Sequence, residues 1–427
     1  MPHIATERHQ LDNGLRVTLS HDDRSPIVAV NLRYAVGSGH EKPGKTGLAH
    51  LFEHLMFQGS TNVAKGEHFS LIEGSGGKAN ATTSLDRTNY FERLPSHELE
   101  LALWLESDRL ANLLPAMTQE KLDNQREVVK NERRRGVDNQ PYGSWEEKLQ
   151  TLLFPKGHPY HHPTFGSMED LDRASLADVG AFFAAHYAPN NAVLTIAGDF
   201  DPTAALGLVE KYFGPLVANP AVAPAPSTLI QTSVGAEMRE TVLDHVPVPR
   251  LYAACLPPAF GSPGFEALQV AMDLLGSGRG SRLYQALVRE QQVAQDLDSF
   301  AFPEIGGAAV FALEVTARPR ITHEDLERSM WTEVDRLMAE GPTDEELERV
   351  RNLHAADVES SLERVSERAD RLSMYASLFD EPERINTEVS RYVAVDAARV
   401  REALAFSLPP DNRVLLTYLP AEHPRGT

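Results

Sequence analysis

Short segments rich in apolar and β-branched residues recur in the first half of the chain and predict β-strands. They lie at residues 15–19, 27–36, 78–84, 87–94 and 192–199. Between these segments, apolar positions three and four residues apart predict helices. The helices begin near Gly47, at Glu98 and at Thr118. The first half therefore alternates short strands with amphipathic helices.

The same order of elements recurs in the second half. Strand-like segments lie at residues 250–256, 297–302, 308–317 and 412–419, with helical patterns at 265–275 and between 321 and 362. The two halves are separated by residues 218–229, which contain three Pro, four Ala and no charge, and this composition predicts an extended linker. We therefore predict domains at residues 1–217 and 230–427 that arose by internal duplication.

Composition excludes several classes of function. Of 427 residues, 41 are Lys or Arg and 61 are Asp or Glu, and the resulting net charge of −20 disfavours nucleic acid and membrane surfaces as partners. The single cysteine, Cys255, excludes an internal disulfide and a thiolate zinc cluster, so any metal must be held by His and carboxylate. The first ten residues lack the pattern of a secretory leader. We expect a cytoplasmic protein, or a periplasmic one if a leader was removed.

The most informative segment is GLAHLFEHLMFQGS, residues 47–60, which contains the predicted helix that begins near Gly47. At about 100° per residue, His50, Glu53 and His54 fall within an arc of roughly 100° on one face, and the other face is apolar. Two histidines four residues apart can bind one Zn²⁺, with the carboxylate beside them placed to accept a proton. The order H-x-x-E-H is a metallopeptidase signature. The alternative is a pair of core histidines bonded to the backbone.

A catalytic zinc site needs a third protein ligand. The predicted helix at residues 118–135 offers Glu127 and Glu132, which are about 140° apart around the helix, so both cannot point at one ion. Glu132 shares its face with Val128 and Val129. Glu127 shares a face with charged residues, and we therefore favour Glu132. For either acid the alternative is a solvated carboxylate paired with a nearby arginine.

At these residues the sequence resembles the pitrilysin/insulinase family of zinc peptidases, the inverzincins. It is most similar to the half-length branch that includes mitochondrial processing peptidase and its bacterial relatives. The resemblance covers nearly the whole chain, because the following motifs come in the family's order: LDNGLRV, VGSGHE, GLAHLFEHLMFQGS, NATTSLDRTNYF, REVVKNERRR, HPYHHPTFGS and YAPNNAVLTIAGDF. With the internal repeat, it implies an α+β fold of two homologous domains. Each domain is then a mostly antiparallel β-sheet packed with α-helices, and the first binds zinc.

The resemblance implies one Zn²⁺ per chain, held by His50, His54 and Glu132, with Glu53 as the catalytic base. The family pattern has an acid seven residues before the ligand glutamate, and this chain has Gln125 there. Gln125 lies nearly two helical turns from Glu132 and is placed to hydrogen-bond it. A neutral amide alters the basicity of a neighbouring metal ligand less strongly than a carboxylate does. We therefore expect Gln125 to change the metal affinity of the site.

Family members bind an extended peptide along an edge strand, which corresponds here to residues 78–83. The candidate contacts are Asn80, Ala81 and Thr82. Binding by strand addition uses main-chain hydrogen bonds and so tolerates many peptide sequences. Without the resemblance, this segment is simply one strand of a hairpin.

The family's second half supplies an arginine and a tyrosine that contact the bound peptide and stabilise the oxyanion. Arg289 fits the arginine, but Gln295 stands in place of the tyrosine and the spacing is about one residue short. We therefore expect a second chain to complete the active site, with a heterodimer containing a zinc-less sister subunit slightly favoured over a homodimer. For Arg289, a surface cation on a helix is an equal alternative.

Together these features predict a zinc-dependent endopeptidase that hydrolyses short or unfolded peptides inside a clam-like chamber. Glu53 removes a proton from the attacking water and then delivers it to the departing amine. The alternative is a non-catalytic structural or assembly subunit on the same fold, against which the intact ligand set argues. His158, His161 and His162 lie in a proline-containing segment, so we predict a loop there and no second metal.

Overall fold

The structure is a computed structural model, and it describes residues 3–223, 233–302 and 310–421. Over these ranges the chain forms two compact units, each with its own β-sheet. The first unit contains residues 3–132, 162–223 and 357–388, and the second contains the other described residues. Within the described ranges, no helix combines the length and apolar character needed to cross a lipid bilayer.

The first sheet has six strands among the described residues. They are β1 (Glu7–Gln10), β2 (Arg16–His21), β3 (Ile27–Tyr34), β4 (Lys78–Thr83), β5 (Thr88–Pro95) and β6 (Ala192–Gly198). Their order is β1-β2-β6-β3-β5-β4, and neighbours are antiparallel except for the parallel pair β2 and β6. β4 is thus an edge strand of this sheet.

The second sheet repeats this arrangement. Its strands are β7 (Met238–Asp244), β8 (Arg250–Cys255), β9 (Ala294–Phe302), β10 (Val310–Ala317) and β11 (Val414–Pro420), in the order β7-β11-β8-β10-β9. β7 and β11 are parallel and the other neighbours antiparallel, so each strand has a counterpart of the same orientation in the first sheet. The prediction of two homologous α+β domains is therefore confirmed. The first sheet has β1 in addition.

Helices account for most of the remaining ordered structure. Their bounds are α1 (Leu48–Leu55), α2 (Glu67–Gly74), α3 (Leu99–Asn112), α4 (Gln119–Arg133), α5 (Trp145–Leu153), α6 (Met168–Arg173), α7 (Leu176–His186), α8 (Pro202–Phe213), α9 (Pro263–Gly276), α10 (His323–Glu340), α11 (Asp344–Glu363), α12 (Val365–Phe379), α13 (Glu388–Val393) and α14 (Ala397–Ser407). The segments Arg134–Asp138 and Tyr284–Glu290 are π-helical.

Both faces of the first sheet are covered. On one face, alternate β3 residues pack in the same core as Leu51, Phe52 and Leu55 of α1. On the other face, α12 packs through Ala369 onto Ala29 and Ala197, whose small side chains allow close approach. Since α12 comes from far along the chain, the first unit is not one continuous segment.

The predicted linker at residues 218–229 is described only as far as residue 223. Residues 218–223 contain neither helix nor strand. The side-chain amide of Asn219 donates a hydrogen bond of 2.7 Å to the backbone oxygen of Ala184, in the same unit. The remainder of the predicted linker lies outside the described residues. The boundaries predicted for the two homologous domains, at residues 217 and 230, therefore stay a prediction.

Candidate metal centre

The N-terminus of α1 is held by a buried carboxylate. Gly47, which precedes α1, has φ +87°, and a Cβ there would lie 2.5 Å from the backbone oxygen of Phe165, so only glycine fits. The Glu41 carboxylate accepts the backbone N–H of Gly47 at 2.7 Å and of Ala49 at 2.6 Å. It thereby pairs two of the N–H groups that a helix leaves open at its start. Glu41 was not predicted from the sequence, because it lies outside the local capping pattern.

The structure brings His50, His54 and Glu132 to one point. The Oε2 atom of Glu132 is 3.3 Å from Nε2 of His54 and 3.8 Å from Nε2 of His50. One ligand atom from each residue lies within 4.8 Å of the others. Ligand atoms about 2.0–2.2 Å from a tetrahedral Zn²⁺ stand roughly 3.3–3.6 Å apart, so this donor set fits a single zinc ion.

Burial sets the protonation state of His50. The His50 and His54 side chains are 14% and 18% exposed, and Glu132 is 44% exposed. Burial, together with the charge of the neighbouring His54, lowers the pKa of His50 to about 3. The His50 ring is therefore neutral near pH 7, the form that binds a metal. Phe165 packs edge-on against it, with ring centres 4.8 Å apart, and restrains its orientation.

The two acids of α4 have different surroundings. Glu132 reaches the histidines from the last turn of the helix, immediately before the π-helical segment Arg134–Asp138. Glu127 points to the exposed side, where its carboxylate pairs with Lys130 at 3.2 Å. The structure thus brings Glu132, and not Glu127, to the two imidazoles.

Glu53 lies on the same face of α1 as the two histidines. Its Oε2 atom accepts a hydrogen bond of 2.5 Å from the hydroxyl of Thr83, on β4. Burial raises the pKa of Glu53, while the Thr83 hydrogen bond and the charges of His54 and Arg87 act in the opposite direction. A carboxyl group with a raised pKa is suited to accept and return a proton near neutral pH. No local pattern of the sequence identifies Thr83 or Arg87 as groups that act on Glu53.

A cavity of about 180 Å³ adjoins Glu53 and His54. It is lined also by Phe57, Gln58, Phe69, Asn80 and Gln125. Gln125 is buried, and its amide donates to the side chain of Asn124 at 2.9 Å rather than to Glu132, so the expected hydrogen bond to the ligand is not formed. A role for Gln125 in metal affinity stays a prediction.

The predicted substrate strand corresponds to β4. Its edge position leaves one side of the strand without a strand partner in the described part of the sheet. Asn80 is exposed and lines the cavity beside Glu53, Ala81 is buried, and Thr82 is partly buried and accepts hydrogen bonds from Arg87. The contacts of these residues with a peptide stay a prediction.

Arg289 lies in the second unit, in the π-helical segment Tyr284–Glu290, and its side chain is exposed. Gln295 is exposed on β9. The structure gives Arg289 no contact that identifies a role, so its action on a peptide stays a prediction. His158 and His161, also in the second unit, bond within their loop: His158 accepts the backbone N–H of Tyr160 at 3.1 Å, and Nδ1 of His161 lies 2.7 Å from the backbone oxygen of Phe154.

A second polar cluster lies in the core of the first unit. His68 contacts Glu92 at 3.3 Å, and the guanidinium of Arg109 donates to Glu106 at 3.1 Å. Burial raises the pKa of Glu92, and it raises that of Glu106 to about 8. Two carboxylates carry two negative charges, and the Arg109 guanidinium carries one positive charge. The net charge of these three groups is therefore zero when Glu92 and Glu106 share one proton. The cluster therefore contains its own counter-ion, unlike the group at His50, His54 and Glu132.

Comparison with known proteins gives a consistent result. The profile described as Insulinase (Peptidase family M16) matches residues 16–161, and the profile described as Peptidase M16 inactive domain matches residues 173–353. The zinc protease PqqE of Helicobacter pylori is 29% identical over 367 residues, which cover 86% of this chain and 82% of that protein.

Solved structures resemble the whole chain. The crystal structure of a protease from Helicobacter pylori has a TM-score of 0.91 at 25% identity and covers 98% of this chain and 100% of its own. The periplasmic protease PqqL from Escherichia coli has a TM-score of 0.77 at 18% identity. It matches 99% of this chain, but only 49% of its own length, and at this identity the likeness concerns the fold alone.

Proposed function

Because the chain belongs to the insulinase family of peptidases, family M16, we propose that it is a zinc-dependent endopeptidase that cleaves short or unfolded peptides. The observation that carries the proposal is the convergence of two imidazole nitrogens and one carboxylate oxygen beside a buried glutamate. Three protein donors leave the fourth position of a tetrahedral zinc ion open, as catalytic sites do.

In this mechanism His50, His54 and Glu132 would hold the metal. When bound, zinc would supply a Lewis acid to polarise the peptide carbonyl and to lower the pKa of a water molecule. Glu53 removes the proton from the attacking water and delivers it to the nitrogen of the leaving amine. Its position on the same helix face as both histidines keeps the proton acceptor close to the ligands.

The substrate class follows from the exposed edge of β4. A peptide that adds to this edge must be extended, so it must be short or locally unfolded. The main-chain hydrogen bonds of such a complex do not depend on side chains, and Asn80, Ala81 and Thr82 are the proposed contacts. This arrangement favours a peptidase that accepts many sequences.

We further propose that the active enzyme is a dimer with an enclosed chamber. Gln295 in place of the family's tyrosine supports a partner that completes the site, with a zinc-less sister subunit slightly preferred to a second identical chain. A match to 49% of the length of PqqL is consistent with a fold unit that works in pairs. Light scattering of the purified chain, alone and with a candidate sister chain, tests this point.

The proposed function is tested by Glu53→Gln in the zinc-loaded full chain. Replacing the base by a neutral amide is expected to lower kcat on an unstructured peptide roughly 100- to 10,000-fold. One zinc per chain should remain, because His50, His54 and Glu132 are untouched. Glu73→Gln, at an exposed position of α2, is the matched control and should cleave like the wild type.

The assay is run with and without a metal chelator, and with and without the sister chain. Full activity in Glu53→Gln would remove this residue from the role of base. Purified wild-type chain that neither binds zinc nor cleaves peptide in any of these combinations would instead favour the non-catalytic subunit.

A further inference from the structure

We propose that Thr83 is a positioning residue for the catalytic base, whose hydroxyl fixes the carboxylate of Glu53 in the orientation needed for proton transfer. The inference rests on the proposed peptidase function, and it adds a residue that no local pattern of the sequence identifies. It starts from the 2.5 Å hydrogen bond between Oγ1 of Thr83 and Oε2 of Glu53.

The contact restrains a side chain that would otherwise be free to rotate. Glu53 has three side-chain torsions, and within the described residues Thr83 provides the hydrogen bond to its carboxylate. One oxygen is thereby tied to β4, and Glu53 also lines the cavity beside His54. A base held in one orientation transfers a proton faster than one that samples several.

Thr83 is itself held in place by the sheet. It pairs with Thr88 in the β4–β5 ladder, and the two hydroxyl oxygens are 3.4 Å apart. Thr88 is fully buried and donates its hydroxyl to the backbone oxygen of Val36 at 2.9 Å. Because Thr88 uses its proton there, it cannot donate to Thr83. The one hydroxyl proton of Thr83 goes to Glu53, whose oxygen at 2.5 Å is much closer than the oxygen of Thr88.

The turn that joins β4 and β5 is fixed to the segment before α1. Backbone N–H groups of Ser38 and Gly39 donate to the backbone oxygens of Ser84 and Leu85 at 3.0 and 2.7 Å. The same segment continues to Glu41, whose carboxylate holds the start of α1. One stretch of backbone, residues 37–41, therefore contacts both the turn next to Thr83 and the start of the helix that carries Glu53. It helps to fix the position of the strand relative to the helix.

A hydroxyl is chemically suited to this contact. It donates to a carboxylate and accepts from a carboxylic acid, so the bond can persist when Glu53 carries the transferred proton. Valine has nearly the shape of threonine but neither capacity. The Thr83→Val exchange thus removes the hydrogen bond with little change in packing volume, and Thr83→Ser keeps it.

The test compares Thr83→Val and Thr83→Ser in the zinc-loaded full chain, with Thr195→Val as matched control. Thr195 is buried in β6, and its hydroxyl has no hydrogen-bond partner among the described residues. We expect Thr83→Val to keep one zinc per chain and a KM within about twofold, while kcat falls roughly 10- to 100-fold. Thr83→Ser and Thr195→Val should stay within about threefold of the wild type. An unchanged kcat in Thr83→Val, or an equal loss in Thr83→Ser, overturns the proposal.

Crystal structures of the zinc-free variants give a readout that does not depend on cleavage. In Thr83→Ser the Glu53 carboxylate should remain hydrogen-bonded to residue 83, and in Thr83→Val it should move by more than about 1 Å. A carboxylate that keeps its place in Thr83→Val overturns the role of Thr83. If the wild type cleaves no peptide but the carboxylate is displaced in Thr83→Val, the peptidase function is overturned. The contact by which Thr83 positions Glu53 is then still supported.

Discussion

Replacing Glu132 by glutamine should weaken metal binding but leave the stability of the metal-free fold nearly unchanged. Glu132 is the one anionic donor of the proposed site, and its oxygen lies 3.3 and 3.8 Å from the two imidazole nitrogens. Glutamine has the same length and keeps a neutral oxygen. The exchange therefore removes the charge that a divalent cation needs while it leaves the shape of α4 unchanged.

The expected magnitude follows from two facts. Residues that only support a metal ligand change affinity about 10- to 100-fold, so loss of an anionic ligand should weaken zinc binding at least about 100-fold. At a zinc concentration 100 times the wild-type Kd, binding stabilises the fold by about 2.7 kcal/mol. A 100-fold weaker site retains about 0.4 kcal/mol of this under the same conditions. Without zinc, the change should be below about 1 kcal/mol, because Glu132 is 44% exposed.

Zinc affinity is measured by competition with a chromogenic chelator, and the zinc-dependent shift of the unfolding transition is recorded alongside it. Glu127→Gln is the matched control, since Glu127 lies on the same helix and pairs with Lys130. Its affinity should equal that of the wild type. Wild-type affinity in Glu132→Gln, or a loss in Glu127→Gln, would refute the assignment of the third ligand.

Two further predictions concern the scaffold. In the buried cluster, Glu92 and Glu106 have raised pKa values, so the folded state keeps a proton that an unfolded glutamate releases near pH 4.3. Their contribution to stability should then fall as pH rises from about 4.3 to 8, by up to about 1.4 kcal/mol per unit, while the lowered pKa of His68 opposes this fall below pH 6.5. Denaturant unfolding of Glu92→Gln should show a flatter slope above pH 6.5, and parallel slopes there would contradict this. Gly37→Ala would put a Cβ 2.2 Å from the backbone oxygen of Ser84, so it should lower the unfolding temperature and kcat together. Gly180→Ala, in an open position of α7, should instead be neutral or slightly stabilising, and equal effects at both sites would contradict the clash.

The strands and helices that bury apolar residues were predictable from their pattern. β2, β3, β6 and the long helices α10 and α11 follow the predicted segments closely, because burial imposes their periodicity. β1 and β7 were not predicted. Their sequences, ERHQ and MRETVLD, are mostly polar, and both strands lie at sheet edges where little burial is required.

In the candidate site, the residues related by the geometry of one helix could be predicted. The contacts between segments that are distant in the sequence could not. His50, Glu53 and His54 are related by the geometry of one helix, and Glu132 could be separated from Glu127 by the angle between them on another. No such local rule relates Glu53 to Thr83, or Gly47 to Glu41, because these contacts depend on how a hairpin and a loop pack against α1. The sequence pattern therefore identifies the candidate metal donors but not the groups that contact the proposed base. It follows that a chain with an intact H-x-x-E-H motif but without a hydroxyl at the position of Thr83 should bind zinc and yet hydrolyse peptides slowly.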